Sequence, residues 1–248
     1  MSSTPAPDLS IVLPTYREAA SLPRLVPSLA ETVEAAGLTC EIVVVDDASP
    51  DGTADVARHL AERWPLRLLS RHGERGLATA ALFGLRAGRG EVCVLMDADG
   101  SHPVSAVPAL AEVVRSGRAD LAVGSRLTPG GGFRDWPLWG RMKSRFAAFF
   151  ARELAPLSDP TTGLMAVRRS LLDDLDLDPV GWKIVLEIVV KSAPRPFVEV
   201  PIVFGPRLAG ESKQSLRVFW QYLRHCARLA AYRRRREARA RRMTETSS

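Results

Sequence analysis

Apolar residues recur through the first half of the chain in five short runs, at residues 11–13, 41–45, 66–69, 92–96 and 121–123, separated by segments of helical length. This is the rhythm of alternating strands and helices. Runs such as IVVV and VCVLM are apolar at successive positions, which suits strands covered on both faces of a parallel sheet. The expected fold class is therefore α/β, a doubly wound, mainly parallel sheet flanked by helices. Ser49-Pro50 predicts a helix N-cap followed by Pro at the first helical position, and Pro103 and Pro108 bracket the expected start of the helix after the fourth run.

From about Arg126 the rhythm changes. A glycine-rich loop, TPGGG, leads into an aromatic and basic stretch at 136–152, then into irregular pieces up to Arg207. Residues 215–242 read as one long amphipathic helix, because Leu216, Phe219, Trp220, Leu223, Cys226 and Ala230 repeat at three- and four-residue spacing.

Composition and charge narrow the picture. With 248 residues, 46% hydrophobic and 25% charged, the chain suits one large α/β domain or a domain with an appendage. The opening MSSTPAPDLS lacks the charged and apolar regions of a signal peptide, and no apolar stretch approaches the ~18 residues of a spanning helix, so a cytoplasmic location is expected. Cys40, Cys93 and Cys226 are widely spaced and indicate neither a disulfide framework nor a zinc site. The net charge of +6 is a tail property: residues 233–242 hold seven Arg and one Glu, so the rest of the chain sums to zero. Such a block binds anionic lipid headgroups, binds nucleic acid, or is simply solvated. No recognisable nucleic-acid-binding fold stands beside it, so a nucleic-acid role is set aside.

Ligands of open parallel sheets bind beyond the carboxyl ends of the strands. The first run ends in Pro14-Thr15-Tyr16-Arg17-Glu18, the second in Asp46-Asp47 and the fourth in Asp97-Ala98-Asp99. Neither GxGxxG nor GxxxxGK[ST] occurs, which argues against a dinucleotide site and a P-loop. Two carboxylates leaving one strand end offer the hard oxygen donors that Mg²⁺ or Mn²⁺ prefers beside a diphosphate. Taken alone, such aspartates also serve merely to cap a turn.

The motifs LPTYREAASLPRLV, VVVDDASPDGTAD, MDADGSHP, VGSR, DPTTGLMAVRR, GWKIVLEIVVK and FGPRLAGESK, in that order, closely resemble those of dolichol-phosphate mannose synthases, inverting family 2 glycosyltransferases of the GT-A fold. The resemblance runs from about Ser10 to Lys213. It implies a GT-A domain at 1–213, with a nucleotide-sugar half at 9–125 and an acceptor half at 126–213, followed by a basic amphipathic helix and tail at 214–248. By position it assigns Pro14, Tyr16, Glu18, Val45 and Asp47 to the base and ribose of the donor, and Asp97, Ala98 and Asp99 to the sugar diphosphate and its metal. Arg207 and Lys213 form the implied diphosphate clamp. Arg126 is implied to bind phosphate and, with Asp97 and Asp99, to be catalytic. Arg141, Lys143 and Ser144 join Arg126 as candidates for the acceptor phosphate.

Three positions depart from the family pattern. Arg17 replaces a common Asn, Gly140 stands at an expected basic position, and Ser101 occupies a position that some relatives fill with a metal-binding Gln, leaving Ser101 or water as the third ligand. The implied reaction moves mannose from GDP-mannose to a polyprenyl phosphate; another donor such as UDP-glucose, or a saccharide acceptor, is the alternative. The implied cofactor is Mg²⁺ or Mn²⁺. The expected partners are the nucleotide-sugar, the lipid phosphate and an anionic membrane at its cytoplasmic face, with a separate membrane protein as a further candidate. His102, beside the acidic pair, is expected to reach the pair from behind.

Overall fold

In the computed structural model, residues 5–73, 75–135, 142, 148–149, 151, 153–178, 181, 183–193, 195–208 and 216–246 are described. The five apolar runs become β1 (Leu9–Thr15), β2 (Cys40–Asp46), β3 (Leu66–Ser70), β4 (Val92–Leu95) and β5 (Leu121–Ser125). Between them lie α1 (Leu22–Ala35), α2 (Thr53–Leu60), α3 (Leu77–Ala87) and α4 (Ala106–Arg115). β1 is central to this half, pairing in parallel with β2 on one side and β4 on the other, while β2 pairs in parallel with β3.

After β5 the chain leaves the sheet through the short strand β6 (Gly132–Phe133) and returns as β7 (Met165–Arg168). β7 inserts antiparallel between β4 and β5, so the parallel sheet is interrupted there. The chain continues through α5 (Arg169–Asp173), α6 (Ile184–Ser192), β8 (Phe197–Pro201) and β9 (Val203–Phe204) to α7 (Leu216–Thr246). The sheet order is β3-β2-β1-β4-β7-β5-β8, and β6 pairs with β9 in a second, two-stranded sheet.

Side chains alternate across the main sheet as the pleat requires. Val12, Val43 and Val45 point into one core with α3 and α6; Ile11, Leu13, Ile42 and Val44 point into the other with α1 and α4. All seven are fully buried, and each such side chain contributes about 1.5–3 kcal/mol. α3 sits so close to the sheet that a Cβ at Gly84 would lie 2.4 Å from Val12 Cγ1 and 2.8 Å from Val45 Cγ2. A Gly84→Ala change would therefore overpack this layer, at a cost of about 1–3 kcal/mol.

The expected N-cap at Ser49 does not form. The Ser49 hydroxyl donates to Asp46 Oδ1 at 2.5 Å, and its backbone N–H donates to Asp46 Oδ2. The helix starts at Thr53, after Gly52 at φ 84°, and Asp51 accepts from both the N–H and the hydroxyl of Thr53. A side chain committed to the preceding turn cannot also cap a helix. The start of α4, with Ser105 at its N-cap, falls between Pro103 and Pro108 as predicted.

The long C-terminal helix exists, but its apolar stripe is divided. Tyr222, His225, Cys226 and Leu229 are buried, and Leu223 and Ala230 pack against the core shared with α6. Trp220 is 69% exposed. The side chains of Leu216 and Phe219 lie outside the described residues. Among the described residues no helix is long and apolar enough to cross a membrane.

Candidate active site

The carboxyl ends of β1, β2 and β4 open into a cleft of about 350 Å³, lined by Pro14, Tyr16, Glu18, Asp47, Asp97, Ala98, Asp99 and Arg207. Eight residues expected at the donor site thus meet in one place. Val45 does not join them: its side chain is fully buried beneath α3 and belongs to the core. Its position one residue before Asp46 on the inward phase of the pleat directs it away from the cleft.

Asp97 and Asp99 leave the end of β4 on a turn built for them. Gly100 has φ 75°, and a Cβ there would also lie 2.4 Å from Leu208. Only glycine meets both demands without strain. Asp99 Oδ1 accepts from the Ser101 N–H at 3.0 Å and the Ser101 hydroxyl at 2.5 Å, while Arg207 Nε lies 3.1 Å from Asp99 Oδ2. The Ser101 hydroxyl, expected as a metal ligand, therefore orients Asp99 in this structure. The N–H of Leu208 donates to the Asp99 carbonyl and that of Gly205 to the Ser101 carbonyl, each at 2.8 Å, so the Arg207 segment is laced to the acidic turn.

Asp97 Oδ2 accepts from His102 Nε2 at 3.2 Å, and the His102 ring packs edge-on to Phe204. Burial by itself would raise the Asp97 carboxyl, but the bond and charge of His102, with Lys183 and Arg207, outweigh it and hold the group below the usual carboxylate range. A Cβ at Gly163 would lie 2.8 Å from Asp97 Oδ2, so glycine there leaves room for the Asp97 carboxylate where it stands. Two carboxyl groups offering hard oxygen donors at the mouth of a cleft fit a divalent cation. Among the described residues no group of three or more His, Cys, Asp or Glu converges on a possible metal position.

Asp47 is held by a buried partner that motif reading did not predict. Arg71, at the end of β3, donates from Nε to Asp47 Oδ1 at 2.6 Å and from Nη2 to Oδ2 at 2.9 Å, and the Gly76 N–H donates to the same Oδ2. Tyr16 lies under two guanidinium groups, with Arg17 at 5.4 Å and Arg75 at 5.2 Å from its ring centroid. Arg17 takes a positive φ of 61°, and its N–H donates to Ser49 Oγ.

Arg126 is buried. Its Nε and Nη2 donate to Asp159 at 2.6 and 2.8 Å, Nη2 also donates to Thr161 Oγ1, and its guanidinium lies 5.3 and 5.1 Å from the rings of Phe133 and Phe204. Burial would raise the Asp159 carboxyl, but the bonds from Arg126 hold it low. Arg126 also lines a neighbouring cavity of about 830 Å³ together with Thr128, Phe133, Leu157 and Ser158. Lys183, at the start of α6, donates from Nζ to the Thr161 carbonyl at 2.8 Å. Burial pulls its ammonium down to about 8, Arg126 acts in the same direction, and Asp97 and Asp159 oppose both. Lys213, Arg141, Lys143 and Ser144 lie outside the described residues.

Asp159 and Lys183 are thus site residues that sequence reasoning left without a role, although both stand inside quoted motifs, DPTTG and GWKIVLEI. Arg71 and Arg75 had no motif to mark them.

A doubly wound, mainly parallel sheet carrying an acidic pair at the end of β4, opposite an arginine and beside an aromatic and acidic cleft, matches the GT-A fold. The Glycosyl transferase family 2 model matches residues 10–176, and the chain belongs to that family. It is 38% identical over 225 residues to the dolichol-phosphate mannosyltransferase of Pyrococcus furiosus, covering 89% of this chain and 63% of that protein. The chain thus spans less than two thirds of the length of that relative. It is 40% identical over 215 residues to the undecaprenyl-phosphate mannosyltransferase of Micrococcus luteus, covering 82% of this chain and 86% of that protein. Among solved structures, glucosyl-3-phosphoglycerate synthase from Mycobacterium tuberculosis with Mn²⁺ and UDP-glucose matches with TM-score 0.62 and 22% identity, covering 92% of this chain and 79% of that one. That likeness concerns the fold.

Proposed function

We propose that the chain transfers mannose from GDP-mannose to a polyprenyl phosphate, with inversion at the anomeric carbon. The observation that carries this is the cleft in which Asp97, Asp99 and Arg207 stand at one end and Tyr16 and Asp47 at the other. The names of the Pyrococcus and Micrococcus relatives support the sugar and the lipid phosphate as substrates.

Tyr16, Glu18 and Asp47 hold the nucleoside. Asp97 and Asp99 hold Mg²⁺ or Mn²⁺, which when bound neutralises charge on the diphosphate. Arg207 adds its forked donors to the departing diphosphate, with Lys213 as its partner in the clamp. Arg126, fixed by Asp159, faces the larger cavity and draws the acceptor phosphate toward the donor, with Arg141, Lys143 and Ser144 as further contacts. A phosphate monoester has a second pKa of about 6 and is already largely a dianion at neutral pH, so attack needs no general base. The protein's task is then alignment of two anions and screening of their repulsion. Direct displacement inverts the anomeric centre.

The enzyme acts as a peripheral protein at the cytoplasmic face of an anionic membrane, a separate membrane protein being a further partner. The exposed Trp220 and the exposed arginines Arg234, Arg235 and Arg239 of α7 support this. The deciding experiment offers the purified chain a panel of GDP- and UDP-sugars with polyprenyl phosphate and, separately, saccharide acceptors. Polyprenyl-phosphate β-mannose, identified by mass spectrometry and NMR, is the expected product. Transfer only from a UDP-sugar, or only to a saccharide, would overturn the proposal.

A further inference from the structure

The base end of the cleft contains a side chain to which the family motifs assign no role. We propose that Arg75 reads the nucleotide base of the donor, its guanidinium fork donating to O6 and N7 of guanine; this rests on the GDP-sugar reading above.

Strand order sets the direction of the bound nucleotide. β3, β2, β1 and β4 lie side by side, so the residues at their ends stand in the sequence Arg71, Asp47, Tyr16, Asp97, spaced at roughly 4.8 Å per strand. A diphosphate held at Asp97 and Asp99 therefore has its nucleoside directed toward β2 and β3. Arg75 lies on that far side, in the loop between β3 and α3, and it lines the same cleft as the acidic pair.

Its placement is built, not incidental. The adjoining Gly76 is tied through its N–H to Asp47 Oδ2 at 2.9 Å, and Asp47 is locked by two bonds from buried Arg71. Arg71 Nη2 also reaches Thr79 Oγ1 at 3.1 Å in the first turn of α3. The loop's exit is thereby fixed to the strand ends, and the Arg75 guanidinium comes to rest 5.2 Å from the Tyr16 ring centroid. Contact with a ring occupies the face of a guanidinium and leaves its N–H edge able to donate. That edge is a pair of parallel donors. Guanine presents two adjacent acceptors, O6 and N7, whereas adenine pairs an N7 acceptor with an N6 donor and so mismatches the fork. Uracil has no such pair of adjacent acceptors.

Calorimetric titration of the full chain with Mg²⁺ and GDP, IDP, ADP or UDP tests this. The wild type should bind GDP and IDP alike, because hypoxanthine keeps O6 and N7, and should bind ADP and UDP about tenfold or more weakly, within the range for one bidentate base contact. Arg75→Ala and Arg75→Lys should both lose about that factor for GDP and IDP while ADP and UDP stay unchanged, since lysine keeps the charge but not the fork. A variant that keeps the guanine preference would overturn the role of Arg75 and leave the GDP-sugar reading standing. Equal weakening for all four nucleotides would also overturn it, as the mark of a diphosphate or packing contact. A wild type that prefers UDP would overturn both proposals.

Discussion

Asp159→Asn tests how much the buried Arg126–Asp159 pair contributes to the fold. The Asp159 carboxylate is fully buried and accepts two bonds from the Arg126 guanidinium, one from the Arg126 N–H at 3.1 Å, and two from Thr161. An amide of the same shape keeps one acceptor oxygen and removes the charge, which leaves the Arg126 cation without its partner at 8% exposure. Removing one member of a buried pair costs about 3–5 kcal/mol, and the acceptor kept by asparagine points to the lower end. For a chain of this size each kcal/mol moves the melting temperature by roughly 2–4 °C, so a fall of about 6–12 °C is expected. Arg126→Met combined with Asp159→Leu should recover much of that loss, because no unpaired charge remains. The sign of the pH dependence follows from the lowered Asp159 carboxyl. Its contribution is full above the unfolded carboxylate value of about 3.9 and disappears as pH falls through the lower folded value, so the gap between wild type and variant should persist at pH 5 and narrow only below about 4. Scanning calorimetry at pH 7, 5 and 3.5 measures this. A single variant that melts within about 2 °C of wild type at pH 7, or a double variant no more stable than the single one, would refute the assignment of a buried, stabilising pair.

Other consequences can be checked more simply. Asp99→Asn and excess chelator should each abolish transfer, and full turnover in chelator would remove the metal from the scheme. Arg207→Ala should weaken donor binding by about 1.5–3 kcal/mol in calorimetric titration, the range for bonds to charged groups; unchanged affinity and turnover would detach Arg207 from the diphosphate. Lys183 is charged below its lowered value of about 8, so kcat/KM for the donor should fall as pH rises through about 8, and Lys183→Met should lack that limb. Truncation after Ala231 removes the arginine block while keeping the buried contacts of Tyr222 to Leu229, and it should abolish flotation with anionic vesicles; equal flotation would show that the block is not the anchor.

The parallel half of the fold and the acidic pair were legible in the sequence because both are local. Strand runs are read from successive apolar residues, and a ligand site is placed by the residues that follow them. The second half was not legible to the same degree, since whether a strand such as β7 joins its neighbours parallel or antiparallel depends on how the chain returns through space. Pairings across long separations belong to the same class: Arg126 meets Asp159 across 33 residues and Arg71 meets Asp47 across 24, and no periodicity marks either. Val45 and Asp47 differ by two positions, yet one enters the core while the other lines the cleft, because β2 ends at Asp46 and its pleat no longer governs the next residue. Ser49 offered its hydroxyl equally to a helix cap or to Asp46, and only the folded turn selected one. The C-terminal stripe marks where apolar area lies on a helix but not what covers it. Tertiary structure assigned Cys226, Leu223 and Ala230 to the domain and left Trp220 outside, because burial is a property of two surfaces and the sequence of a helix describes one of them.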